Sequence, residues 1–269
     1  MSGIGRGERR AERQARRPKV AKLASCARLR REVERRLDLG WSPEQIAHRL
    51  RVEFPDDPEM RVSHETISQS LYIQARGALR KELTASLRSG RRIRRHQGRV
   101  RGGQLSDMVP LADRPAEADD RAVPGHWEGD RLMIRSGRSA VATLVERSSR
   151  YLMLVDLPQG RSAAAVRHQL ASHVLRLPAE LARSITWDQG KEMAEHARFT
   201  IDTAIQIYFC DPQSPWQRGT NENTNGLLGQ YLPRGAALSG LNQRELDRVA
   251  RELNGRPRRT LDWKTPAEA

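Results

Sequence analysis

Apolar residues at Leu29, Val33 and Leu37 recur every fourth position, the spacing that lines one face of an α-helix. Gly40 supplies a stop. The next stretch, WSPEQIAHRL, opens a second helix. Ser42 suits the N-cap, Pro43 the first helical position, Gln45 completes a capping box, and Trp41 can staple to Ile46. After the acidic loop EFPDDPEM, Ser63 is placed to cap a third helix, SHETISQSLYIQ, with Ile67, Leu71 and Ile73 inward. Beyond residue 125 the period changes. HWEGDRLMI and SAVATLVER alternate as strands around a turn at Arg135 to Arg138, and YLMLVDL follows as a third strand, making an antiparallel meander. AAAVRHQLASHVLRL reads as a helix, SITWD as a strand, MAEHARFTIDTA as a helix, IQIYFC as a buried strand, and a last helix starts near Thr220.

This order predicts an α/β domain after a small all-α domain. A chain of 269 residues can bury a real core. The expected division is a basic arm at 1–26, a helix-turn-helix domain at 27–87, a linker at 88–124 and an α/β domain at 125–269. Three helices, the last opening Ser-His-Glu-Thr, resemble a helix-turn-helix variant whose final helix meets base edges. Ser63, His64 and Thr66 are the expected contacts.

Charge sharpens the picture. The net charge is +15, of which residues 1–125 hold +11 and residues 126–269 hold +4. Arginine dominates, which suits bidentate phosphate contacts. RSGRRIRRHQGRVRGG, Arg88 to Gly103, contains seven arginines and almost nothing to bury. Arg91, Arg92, Arg94 and Arg95 are therefore expected to track a phosphate backbone, and Arg218 joins them as a candidate DNA contact. No segment has the apolar length of a membrane span, and the N-terminus lacks the apolar core of a secretory signal, so a cytoplasmic, nucleoid-associated protein is expected.

Other chemistries lack their signatures. Cys26 and Cys210 stand in different halves with no CxxC and no paired histidines. His64, His126 and His196 lack metal-ligand spacing, and the glycines form no phosphate-binding motif. Trp127, Trp187 and Trp216 read as core or site-wall residues. Arg256, Arg258 and Arg259 fit either phosphate contacts or solvated charge.

Carboxylates remain. Asp130 lies on an apolar strand and Asp188 ends another just before a glycine turn, positions where an unpaired charge is costly. Alternation puts Glu128, Asp130 and Leu132 on one strand face and Trp127, Gly129 and Arg131 on the other. Glu128 is thus either a partner behind Asp130 or an exposed strand charge. Glu222, in QRGTNENTNGLLGQYLPRG, has Arg218 behind it and only Asn225 and Gly226 ahead. It suits either one ion pair or a third oxygen donor, and three such carboxylates could hold one or two Mg2+ ions.

The words GHWEGD, TLVERSSRY, ITWDQGKEMAEH, FCDPQSPWQRGTNENTNGLLGQYLPRG and LNGRPRRTLDWKTPAEA resemble the transposases of the bacterial insertion sequence thirty family, within the DDE transposase and retroviral integrase superfamily. The resemblance runs from about residue 11 to the end. It implies a ribonuclease H-like integrase catalytic core, a mixed five-stranded sheet with flanking helices. Asp130, Asp188 and Glu222 would be its catalytic, metal-holding triad, with two Mg2+ or Mn2+ ions. It further implies cleavage and strand transfer on double-stranded DNA, with terminal inverted repeats and target DNA as partners and a homodimer or larger assembly. Two departures accompany it. The family's basic residue seven positions after the last Glu is here Gly229, which removes a phosphate contact and costs about 1 kcal/mol of helix propensity relative to Ala. The family also commonly begins with a further helix-turn-helix, so an N-terminally truncated copy is expected. The alternatives are a DNA-binding remnant that interferes with a full-length transposase, and a nuclease of the same fold acting on RNA–DNA hybrids.

Overall fold

The computed structural model describes residues 22–74, 105–133, 140–157, 162–232 and 242–269. The chain divides into two compact units, residues 1–91 and 92–269.

The first unit is helical: α1 (Lys22–Ser25), α2 (Ala27–Asp38), α3 (Pro43–Glu53) and α4 (His64–Gln74). The capping box of α3 is formed as the sequence predicts, with Ser42 Oγ accepting from the Gln45 amide and the Gln45 side chain accepting from the Ser42 amide. Leu29, Val33, Ile46, Leu50 and Ile67 fill the core. Leu23 is buried with them, so α1 packs into this core although the sequence reading placed it in the basic arm.

The second unit holds α5 (Glu117–Asp120), β1 (His126–Met133), β2 (Ala140–Glu146), β3 (Leu152–Leu157), α6 (Ala163–Val174), β4 (Ser184–Trp187), α7 (His196–Thr203), β5 (Gln206–Phe209), α8 (Gly219–Leu228) and α9 (Gln243–Asn254). The sheet order is β3-β2-β1-β4-β5, with β1, β2 and β3 antiparallel and β4 and β5 parallel to β1. This is the mixed five-stranded, ribonuclease H-like plan expected from the sequence, with β1 at its centre. One face packs Trp127, Leu144, Val155 and Ile185 against α6 and α7. The other packs Val141, Val145 and Leu154 against α8 and α9.

Both sheet edges find partners, which reduces the exposed ladder groups that invite edge-to-edge pairing. On β3, Gln243 accepts from the Asp156 amide and donates to the Leu154 carbonyl, while Asn254 accepts from the Leu152 amide and donates to its carbonyl. The two ends of α9 thus satisfy alternate residues of an edge strand. On β5, the Phe209 amide donates to the Val109 carbonyl. Residues 105–124, read from sequence as linker, lie on this unit because Leu105 and Met108 pack on its core and Arg114 donates to Thr186.

Candidate active site

The alternation of β1 has the expected consequence. Trp127 enters the α6 face, and Asp130 the α8 face. Gly129 permits the crossing: a Cβ there would stand 2.1 Å from the Trp187 ring. The Trp187 ring of β4 therefore packs directly against the β1 backbone beside Asp130, and Asp188 follows directly at the end of β4.

Arg218, last residue of the 3-10 turn Pro215–Arg218, reaches both carboxylates. Its Nη1 donates to the Gly129 carbonyl at 2.8 Å and lies 3.3 Å from Asp130 Oδ1; its Nη2 donates to Asp188 Oδ2 at 3.2 Å. At an effective dielectric of about 20, unit charges about 4 Å apart interact by about 4 kcal/mol. The bridging cation is therefore a substantial local stabiliser of two neighbouring anions. Burial raises the Asp130 pKa above its ordinary value, opposed by Arg218. Burial also works against the Arg218 charge, but Asp188 and Asp130 outweigh it and hold its pKa above the ordinary value. Arg218, expected from the sequence to contact DNA, here meets the two carboxylates and the Gly129 carbonyl.

Asn225 of α8 donates to Asp130 Oδ2 at 2.9 Å. Glu222, three residues earlier, shares that flank of the helix but is exposed and forms no ion pair with the described residues. The structure thus brings Asp130 and Asp188 onto one guanidinium and leaves Glu222 outside that contact. Among the described residues no three His, Cys, Asp or Glu side chains form a ready metal cluster. The donor chemistry nevertheless suits a hard cation. Asp188 Oδ1 and Asn225 Oδ1 are buried without hydrogen-bond partners, and all the surrounding side-chain acceptors are oxygens, the donors that Mg2+ prefers.

Glu128 resolves one of the open alternatives. It is fully buried, not an exposed strand charge. Its Oε1 accepts from Arg147 Nη1 at 2.8 Å and its Oε2 from the Asn221 amide at 2.9 Å. Burial pulls the Arg147 guanidinium below its ordinary pKa despite this partner. Asn221, Thr143, Asn225 and Arg147 were not singled out in the sequence. Short polar residues near a turn look alike there, and only the clustering of Asn221 and Asn225 on one side of α8 offered a signal.

The remaining candidates divide. Trp127 donates to the Leu181 carbonyl and Trp187 is core, whereas Trp216 is 73% exposed and is not a core residue. His126 bridges Ser184 and Glu117, and His196 spans the Met193 and Asp107 carbonyls. Arg256 is buried over the Tyr231 ring and donates to Gln230, so it is neither solvated nor free for phosphate. In the helical unit Ser63 caps α4 by accepting from the Thr66 amide, and its hydroxyl meets that of Thr66, while His64 is exposed beside them. An open depression of about 330 Å³ lined by Arg51, Arg61, Val62 and Ser63 lies at this helix start. Arg91, Arg92, Arg94 and Arg95 fall outside the described residues.

The model of the integrase core domain matches residues 120–215, a span that contains Asp130 and Asp188. The transposase for insertion sequence element IS1086 of Cupriavidus metallidurans is 49% identical over 93% of this chain and 74% of its own length. Transposase InsI for insertion sequence element IS30A of Escherichia coli is 45% identical over 96% of this chain and 68% of its own. The transposase for insertion sequence element IS4351 of Bacteroides fragilis is 33% identical over 97% and 78%.

Proposed function

The chain belongs to the insertion-sequence transposases that carry an integrase core domain, and from that premise we propose that it cuts DNA at the ends of a mobile element and joins them to target DNA. Asp130, Asp188 and Glu222 are the carboxylates we assign to this chemistry. The observation that carries the assignment is the pairing of Asp130 and Asp188 at neighbouring strands, bridged by Arg218 and rimmed by buried unpartnered oxygens.

The two aspartates hold their oxygens at a fixed separation because β1 and β4 are adjacent in one sheet. Asn225 orients Asp130 through Oδ2, and Arg218 offsets the repulsion between the two anions. Glu222 offers a further oxygen from α8. Two divalent ions, Mg2+ or Mn2+, when bound among these groups would activate water and steady the leaving oxygen. The helical unit meets duplex DNA through the exposed start of α4, at Ser63, His64 and Thr66. Joining two DNA ends calls for at least two copies of the chain.

The test uses the full chain and duplexes carrying the DNA that flanks its gene, with and without Mg2+. Metal-dependent cutting and joining that vanish in Asp188→Ala and in Glu222→Gln are expected. Metal-independent cutting, or cutting that survives both substitutions, overturns the proposal.

A further inference from the structure

Helix α8 begins without a local cap. Its N-cap residue, Arg218, makes no side-chain capping bond and instead reaches the aspartates. The first amides of a helix need outside acceptors, and here one comes from a strand. Glu128 Oε2 accepts from the Asn221 amide at 2.9 Å, while Asn221 Nδ2 returns a bond to the Glu128 carbonyl at 2.7 Å. The contact is a two-point clamp between β1 and the first turn of α8. Thr143 adds to it, donating to Asn221 Oδ1 at 3.1 Å, and Arg150 bonds Thr220.

The clamp joins the residue two before Asp130 to the residue one before Glu222. Two bonds fix the height of the helix over the strand and its rotation about its own axis, and with them the direction in which Glu222 leaves the helix. Carboxylate charge is what allows the clamp to close. Glu128 receives Arg147 on one oxygen and a helix amide on the other, whereas an amide side chain would turn an N–H toward one of them. A fully buried ion pair is seldom the most stable way to fill a core, since apolar residues of similar volume often do as well or better. Its placement at the join of the two carboxylate-bearing elements gives it a different use.

We propose that Glu128 is a positioning residue for DNA transfer: through Asn221 it sets Glu222 on α8 against Asp130 on β1, with Arg147 as its counter-ion. The inference rests on the assignment of Asp130 and Glu222 made above.

The test compares wild type, Glu128→Met, and the pair Glu128→Met with Arg147→Leu, all in the full chain. The single variant strands the Arg147 charge and is expected to unfold more easily; the double variant removes both charges and is expected to recover stability. Despite that recovery, the double variant should turn over saturating DNA at least about tenfold more slowly, with KM for DNA unchanged. Backbone amides at 220–224 should exchange with solvent about tenfold faster, the readout for a loosened first turn. Asn221→Ala, which leaves the ion pair whole, should give the same split at smaller size. Wild-type turnover and amide protection in the stable double variant and in Asn221→Ala would overturn the proposal. If the wild type cuts no DNA, the transposase assignment fails, and exchange at 220–224 in Asn221→Ala decides alone whether the clamp exists.

Discussion

Each unit of this protein buries an arginine with carboxylates, and the two differ in how much water the partners keep. In the helical unit Arg36 is 1% exposed, stacks over Trp41, and pairs with Glu32 and Glu53, which are 23% and 34% exposed. The cation is inside and the anions are at the rim. In the catalytic unit Arg147 and Glu128 are 7% and 1% exposed, so both charges are inside. The first arrangement ties α2 to α3 while leaving each carboxylate a route to solvent. The second gives up that route, and its carboxylate also carries the amide of α8. A rim pair serves packing; a closed pair makes the strand and the helix depend on one another.

The largest expected effect breaks this comparison directly. Arg147→Leu leaves Glu128 buried and unpaired and should cost about 3–5 kcal/mol of stability, measured by denaturant unfolding. Arg36→Leu should cost less than half as much, because Glu32 and Glu53 can turn to water. Equal losses would mean that the difference in exposure has no energetic content.

The cysteines sharpen the same contrast at smaller size. Cys26 caps α2 with its thiol, accepting from the Leu29 amide, and is partly exposed. Cys210 is buried, and burial pushes its thiol up to about 11. Reaction needs thiolate, so alkylation near pH 8 should be roughly a hundredfold slower at Cys210 than at Cys26, with the two rates converging in denaturant. Peptide mass spectrometry reads both sites at once, and equal rates in the folded protein would contradict the burial. The linked effect on stability has a definite sign. The folded thiol holds its proton more tightly than the unfolded one, so stability falls as the pH rises between the ordinary thiol value and about 11.

The smallest effect concerns the far end of α8. The sequence suggested a helix running past Gly229, with glycine as a cost to its interior. The helix ends at Leu228, and Gly229 is its C-cap in ordinary right-handed geometry. A Cβ there would stand 3.4 Å from the Gly226 carbonyl oxygen, an ordinary contact. Gly229→Arg is therefore accommodated, and a cation at a helix C-terminus should stabilise by about 0.3–1 kcal/mol. If it meets phosphate, the slope of log affinity against log salt should steepen by about 0.9. Unchanged stability together with an unchanged slope would show that this end of α8 is neither a helix terminus of consequence nor near DNA.

Much of the local structure was legible. Ser42 and Gln45 announced a capping box because a cap is a four-residue affair. Strict alternation in HWEGDRLMI placed Trp127 and Asp130 on opposite faces because the pleat has a period of two. Glu222 was legible only as an acid with few local cations, and it stands exposed, outside the Arg218 contact that joins the two aspartates.

What the sequence determined by itself was therefore the kind and order of elements, the face on which Asp130 stands, and the family words that carry the function. Those depend on neighbours within one turn or one pleat, or on words that recur in relatives. Tertiary structure alone decided which charges meet. Arg218 meets Asp130 and Asp188, Arg147 finds Glu128 across 19 residues, and Gln243 and Asn254 seal an edge strand 89 and 102 residues away. A charge or an amide in a sequence names what it can bond but not where its partner will be. Only the packing of the sheet against its helices removes the water that would otherwise compete for it.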